Sequence, residues 1–372
     1  MFICRIMLVT AVVFLIILSL LVFVHELGHY LVARLVGVKV EEFGFGLPPR
    51  IIGKKVNGTI YSLNWLPIGG FVRLAGEDGE ETVNLKIKNE KLKEYFWMRS
   101  KKERSLILSA GVAMNFLLAI VLTTYLLAAV GLTVPDNKVT IKEIQADSPG
   151  AIVGLSAGDV VAAITYETDG QQSTKELTSA AELKHITLAH LGEQVILTIV
   201  RSGQEQKIPV TTRKTVGPGQ GAIGITISDT KTITYSWQQA PIEAIKINLS
   251  RAKEMVIGIG QIIARLVTFK PLGAEVAGPI GIAQVTGQAV KFGFPAVLEF
   301  MSILSLNLAV LNVLPVPALD GGRLLFVFAE KILGRKVKPA FERSTHQIGM
   351  IILFVLIFLV SINDILRLTR GG

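Results

Sequence analysis

Between Ile6 and Val24 only Thr10 and Ser19 are polar. Nineteen helical residues rise about 28 Å, close to the hydrocarbon thickness of a bilayer, so this run predicts a membrane-crossing helix. Runs near 106–130 and 347–362 have the same character, and a shorter, proline-broken run lies at 296–314. The pattern predicts four transmembrane helices, within 1–34, 105–131, 295–322 and 345–366. A cleaved signal peptide is the alternative for the first run, because Arg5 precedes it. Against that, no small-x-small site follows, and the run continues into His25 and Glu26.

Between these runs the period changes. Residues 38–76 carry β-prone stretches (Lys39–Phe45, Thr59–Leu63, Phe71–Leu74) broken by Gly and Pro, with Asn57–Gly58 as a hairpin turn signal. The tract 77–104 is charged and reads as loop or amphipathic helix. Residues 138–214 alternate in the manner of strands at 139–144, 160–164, 194–200 and 206–210, with one helical piece at 179–190. They predict an inserted α+β module. Residues 239–270 repeat apolar positions at helical spacing, while Lys246, Arg251, Lys253 and Arg265 fall on other faces. Such a helix is too polar to span and suits the membrane surface.

Composition agrees: half of the residues are hydrophobic and the mean hydropathy is +0.52, too apolar for a soluble globule. The net charge of +9 would suggest nucleic acid until its position is read. Basic residues crowd the loops 34–104 and 323–343, which would both face the cytoplasm. Residues 131–295 and both termini then lie outside. The charge therefore reads as topology plus attraction to anionic lipid, and no nucleic-acid partner is expected. Cys4 is the only cysteine and forms no internal disulfide.

The chemistry sits where the first apolar run ends, in "HELGH". On a helix His25 and His29 face one way and can clamp one metal ion, while Glu26, about 100° around, reaches a water beside it. The bland alternative, two interfacial histidines, must bear the cost of polar groups at membrane depth without a partner. A catalytic zinc usually takes three protein ligands. Spans one and three run in the same direction, so the end of span three arrives at the same leaflet. There Pro315 and Pro317 break the helix, and Asp320 follows with Gly321 and Gly322, which allow close backbone approach. Asp320 is the preferred third ligand and His346, on the same side, its competitor; His185 and His190 belong to the outer module. On span two, Gly111, Ala113 and Asn115 are suited to close packing or a hydrogen bond to a neighbouring helix.

Together with "GFG", "YSLNWLPIGGFVRLAGE", "SAGVAMNF", "AGPIGIA" and "NVLPVPALDGG", the motif resembles the site-2 protease family of intramembrane zinc metalloproteases, of the bacterial regulator-of-sigma-E protease type. The resemblance implies one Zn2+ held by His25, His29 and Asp320, with Glu26 as general base and later proton donor. It implies that 40–75 is a membrane-reentrant β-hairpin whose Gly69, Gly70 and Phe71 pair with extended substrate. Asn312, Pro315 and Pro317 would line the cleft. "SPGAIVGLSAGDVVAAI" at 148–164 resembles a PDZ signature, which implies a single extracytoplasmic PDZ module able to bind a peptide or C-terminus. The expected substrate is a single-pass membrane protein of anti-sigma-factor or signal-peptide-remnant kind, cut near the cytoplasmic side of the inner membrane. The expected fold is a polytopic α-helical membrane protein with four transmembrane helices, a membrane-associated hairpin and an inserted PDZ domain. Two other classes stay open: a PDZ-bearing scaffold with a structural metal, and a metal transporter.

Overall fold

A computed structural model describes residues 2–77, 89–168, 170–217, 220–268 and 278–369. Its helices are α1 (Phe2–Leu35), α2 (Lys101–Tyr125), α3 (Pro149–Ile152), α4 (Ala180–Ala189) and α5 (Ala240–Val267). After these come α6 (Pro279–Phe292), α7 (Phe294–Val313), α8 (Asp320–Leu333) and α9 (Pro339–Thr369). The strands are β1 (Val40–Val56), β2 (Thr59–Leu74), β3 (Leu132–Ile144), β4 (Val160–Thr168), β5 (Gln171–Glu176), β6 (Gln194–Arg201), β7 (Gln204–Thr211) and β8 (Ile225–Ile233). The chain divides into two compact units, residues 1–130 with 236–372, and residues 131–235.

Among the described residues of the first unit, four helices are long and apolar enough to cross a membrane: Met7–Leu35, Lys101–Val130, Phe294–Val313 and Ala340–Leu366. α1, α2 and α7 share a core of Ile17, Leu21 and Met301, edged by Leu118, Leu122, Leu304 and Leu308. α1 and α2 touch through backbone at Gly28, where a Cβ would fall 2.4 Å from the Ala110 carbonyl oxygen. Polar side chains link the helices inside the bundle: Ser305 Oγ donates to the Asn115 carbonyl (2.8 Å), and Asn248 Nδ2 on α5 donates to Thr123 Oγ1 (3.0 Å). With no competing water at that depth, such bonds fix helix register. On α9, by contrast, Ile351, Ile352, Phe354 and Phe358 are exposed, as a lipid-facing helix requires.

β1 and β2 correct the expectation of three short strands. Each is bent, so that Glu42 to Phe45 pair both with Gly70 to Arg73 and with Ile60 to Leu63, while Arg50 to Val56 pair with Thr59 to Asn64. A long hairpin has folded over into a four-segment sheet, with 70–74 at one edge. The bend explains why the alternating pattern broke at the Gly and Pro residues. The outer part of the sheet exposes Ile51, Ile52, Trp65 and Leu66.

α6 and α8 were not expected, and α8 takes the end of the expected third span. Its helix ends at Val313, within the expected 295–322, and Asp320 opens a separate helix. Of the expected 239–270 helix, residues 269 and 270 lie outside the described residues, as do Ala277 of "AGPIGIA" and 78–88 of the charged tract.

The second unit is a six-stranded antiparallel sheet, β7-β6-β4-β3-β8 with β5 on β4. It is wider than the expected 138–214 because Leu132 to Ile144 pair along β8. Its core is aliphatic, including Val139, Ile141, Val161, Ile164, Leu197 and Ile199. Asp159 is buried and takes both Nε and Nη2 of Arg201, at 2.8 and 2.6 Å. These bonds hold its carboxyl below the ordinary carboxylate range. A depressed native pKa stabilises the fold above the unfolded value near 4 and loses that contribution as pH falls through the native one. The denaturant midpoint of the unit 131–235, followed in the wild-type protein, should therefore fall as pH drops from about 5 to 3. Asp159→Asn should flatten that pH dependence; an unchanged profile would show that the pair contributes nothing.

Candidate metal centre

The HELGH turn lies in the last third of α1, buried against α2, with His25 8% and His29 6% exposed. Their Nε2 atoms are 3.1 Å apart. Asp320, at the first turn of α8, brings Oδ2 to 3.0 Å from His25 Nε2 and 3.2 Å from His29 Nε2. These three residues are the one group among the described residues whose donor atoms could hold an ion together.

Several elements deliver Asp320 to that point. α7 stops at Leu314, ahead of Pro315 and Pro317, and the loop winds so tightly that a Cβ on Gly321 would fall 2.1 Å from the Leu314 carbonyl oxygen. Only glycine fits there. α8 is tied to α2 by a buried ion pair, Arg104 Nη1 to Glu330 Oε2 at 2.8 Å. Arg323, one turn past Asp320, is ion-paired with Glu77 just beyond β2.

The imidazoles are held from behind. His29 Nδ1 lies 2.8 Å from the Ile107 carbonyl oxygen, which can only accept, so Nδ1 carries the proton and Nε2 offers a lone pair. At His25, Asn115 Nδ2 lies 3.3 Å from Nδ1, while the buried Asn115 Oδ1 has no partner. The two amide orientations have the same shape, and the other one sets Oδ1 to accept from Nδ1–H. That orientation satisfies the orphan oxygen and frees His25 Nε2 as well. Asp320 Oδ2 is also buried without a hydrogen-bond partner, although two nitrogens face it. Two lone pairs and a carboxylate oxygen converging without a proton between them are the donor set of a zinc site, and the residues fit that metal.

Glu26 stands beside the trio, its Oε2 accepting from the Val72 N–H at 3.2 Å. It borders two cavities. One, of about 590 Å³, is lined by His29, Phe71, Val72, Glu77, Arg323 and His346 among others. The other, of about 260 Å³, is lined by His25, Asn115, Leu308 and Asn312. Glu26 and Asp320 belong to both walls.

The remaining residues singled out from sequence fall at varied distances from the centre. Asn312 faces the smaller cavity. Gly69 and Gly70 are buried against α1, where a Cβ on Gly69 would fall 3.0 Å from Val22, and Phe71 borders the larger cavity. Pro315 is exposed, and Pro317 lies beneath Gly349 of α9. His346 stands apart from the trio and accepts from the Ala318 N–H instead. Sequence reasoning missed the Ile107 carbonyl, which leaves no signal because any residue supplies one. Asn115 did leave one, as an amide within an apolar span.

A model of peptidase family M50 matches residues 13–356. The zinc metalloprotease RasP of Geobacillus kaustophilus is 30% identical, over 95% of this chain and 96% of its own length. The zinc metalloprotease RasP of Oceanobacillus iheyensis is 29% identical, over 96% and 99%. Matched over nearly its whole length and folded around an HExxH helix, the chain belongs to peptidase family M50, the site-2 protease family of intramembrane zinc metalloproteases.

Proposed function

We propose that His25 Nε2, His29 Nε2 and Asp320 hold one zinc ion, and that Glu26 is the base that hydrolyses a peptide bond in the transmembrane segment of a single-pass membrane protein. The observation that carries this reading is the convergence of three proton-free donors within hydrogen-bonding distance of one another, with a carboxylate beside them. Zinc bound there supplies Lewis-acid polarisation of the scissile carbonyl and makes water nucleophilic near pH 7.

The chain's own groups do the rest. Ile107 and Asn115 keep the Nδ1 protons in place, so both rings keep their lone pairs turned inward. Glu26 takes the proton of the attacking water on a carboxylate oxygen and returns it to the leaving amine nitrogen. A transmembrane helix hides its peptide groups in its own hydrogen bonds, so it must unwind and find substitute partners. The edge segment 70–74 offers them by strand addition, next to Glu26. Phe71 and Val72 line the larger cavity, and Asn312 would hold the chain on the far side, in the smaller one. The larger cavity, with Glu77, Arg323 and Glu342 in its wall, is polar enough to admit water.

The exposed Trp65, Ile51 and Ile52 support reading the sheet as membrane-reentrant. The basic loops support an active site on the cytoplasmic side, with the termini and residues 131–235 outside. We read that unit as the PDZ module, on its 148–164 stretch and its sheet-and-helix make-up, and as the part that meets a substrate's peptide or C-terminus.

The test is cleavage of a single-pass model substrate by the purified protein in liposomes. Cleavage should stop with a zinc chelator and return with zinc at one ion per chain. Folded protein that binds no zinc, or cleaves at full rate when stripped of it, would overturn the reading, and zinc flux without cleavage would favour a transporter.

A further inference from the structure

His346 was a rival for the third ligand position, and the structure gives its ring another task. It lies on α9, half-buried, and its Nδ1 accepts from the backbone N–H of Ala318 at 2.9 Å. Ala318 has φ +80°, a left-handed conformation that a Cβ disfavours, so contacts from outside the loop must hold it. One turn further along α9, Gly349 is pressed onto Pro317: a Cβ there would fall 2.4 Å from Pro317 Cβ and 2.8 Å from its carbonyl carbon. The His346 ring also meets Phe326 of α8, with centroids 5.8 Å apart. One face of α9 thus grips the loop 315–319 by a hydrogen bond and by direct backbone contact. Two residues after Ala318 the chain reaches Asp320.

We infer that His346 is a positioning residue, a strut from α9 that fixes the strained 317–319 backbone and so sets where the Asp320 carboxylate meets His25 and His29. The proton inventory of the ring supports this. An Nδ1 that accepts leaves Nε2 as the protonated nitrogen of a neutral imidazole, so the ring is committed to the loop and has no lone pair for a metal. Nε2 is itself buried with no hydrogen-bond partner. Outer-shell partners of this kind typically change metal affinity 10- to 100-fold when removed.

The inference rests on the zinc reading above, and two amide substitutions test it separately from that reading. Asparagine puts an oxygen on Cγ, where Nδ1 was, and keeps the acceptor for Ala318 while removing the Nε2 end. Glutamine reaches the Nε2 end and removes the acceptor from Cγ. His346→Asn should hold zinc, measured by chelator competition, within about threefold of wild type, and should cleave at a similar rate. His346→Gln should bind zinc about 10-fold or more weakly, with kcat/KM falling in step at limiting zinc and recovering when zinc is raised. Equal behaviour of the two variants overturns the strut, whether both match wild type or both lose zinc. If His346→Asn loses kcat at full zinc occupancy, Nε2 is a catalytic group and the strut is again wrong. Wild-type protein without zinc would defeat the metal reading itself, whatever the variants do.

Discussion

Glu26→Gln is expected to retain one zinc per chain and to lower single-turnover cleavage of a transmembrane substrate by about 10³-fold. The substitution keeps the length of the side chain and an oxygen that can still accept from the Val72 N–H, so sheet and helix stay joined as they are now. It removes only the capacity to take a proton. Glu26 is outside the group formed by His25, His29 and Asp320, which is why zinc should remain. That separation of metal content from rate distinguishes a base from a ligand: Asp320→Ala should lose both together. A Glu26→Gln protein that still cleaved at the wild-type rate would remove general-base catalysis from the account.

How much of this was legible in the residues depended on whether a feature is local. The spans follow from length and hydropathy, and the proximity of His25 to His29 follows from a helical repeat within one turn. Asp320 could be ranked above His346 only through topology and chain breaks, because 295 residues separate it from His25 in a sequence with no record of contacts. Other features left weak marks. β5, "QQSTKE", is wholly exposed and polar, so no buried face writes an alternation. β8, "ITISDTKTI", does alternate, but it follows a glycine-rich interval that reads as an ending. α8 starts without a capping side chain at Leu319, and its opening "DGG" imitates a turn. Those glycines are set there by crowding from the carbonyls of residues 313, 314 and 316, a tertiary cause that no local propensity expresses.

Gly111 is the residue where such a tertiary cause should be most costly to disturb. It lies on α2 opposite the HELGH turn, and a Cβ built on it would fall 2.4 Å from His29 Nε2, 2.6 Å from His25 Cε1 and 2.8 Å from His25 Nε2. None of these separations is tolerable between non-bonded atoms, and two of the three crowded atoms are the donor nitrogens themselves. By intrinsic propensity Gly→Ala would favour a helix by about 1 kcal/mol, so the helix should not suffer from the change. The methyl must instead push the imidazoles out of line or drive α1 from α2, and the second route would open the close packing at Gly28 and break the His29 Nδ1 bond to the Ile107 carbonyl. Gly111→Ala should therefore fold, span and bind zinc at least about 100-fold more weakly, with cleavage lost in proportion. Gly258→Ala and Gly260→Ala on α5, where nothing lies within 4 Å of the new methyl, serve as controls and should match wild type in both measurements. Full zinc occupancy in Gly111→Ala would mean that the two imidazoles do not sit against α2 when the metal is bound, and the donor geometry derived above would have to be abandoned.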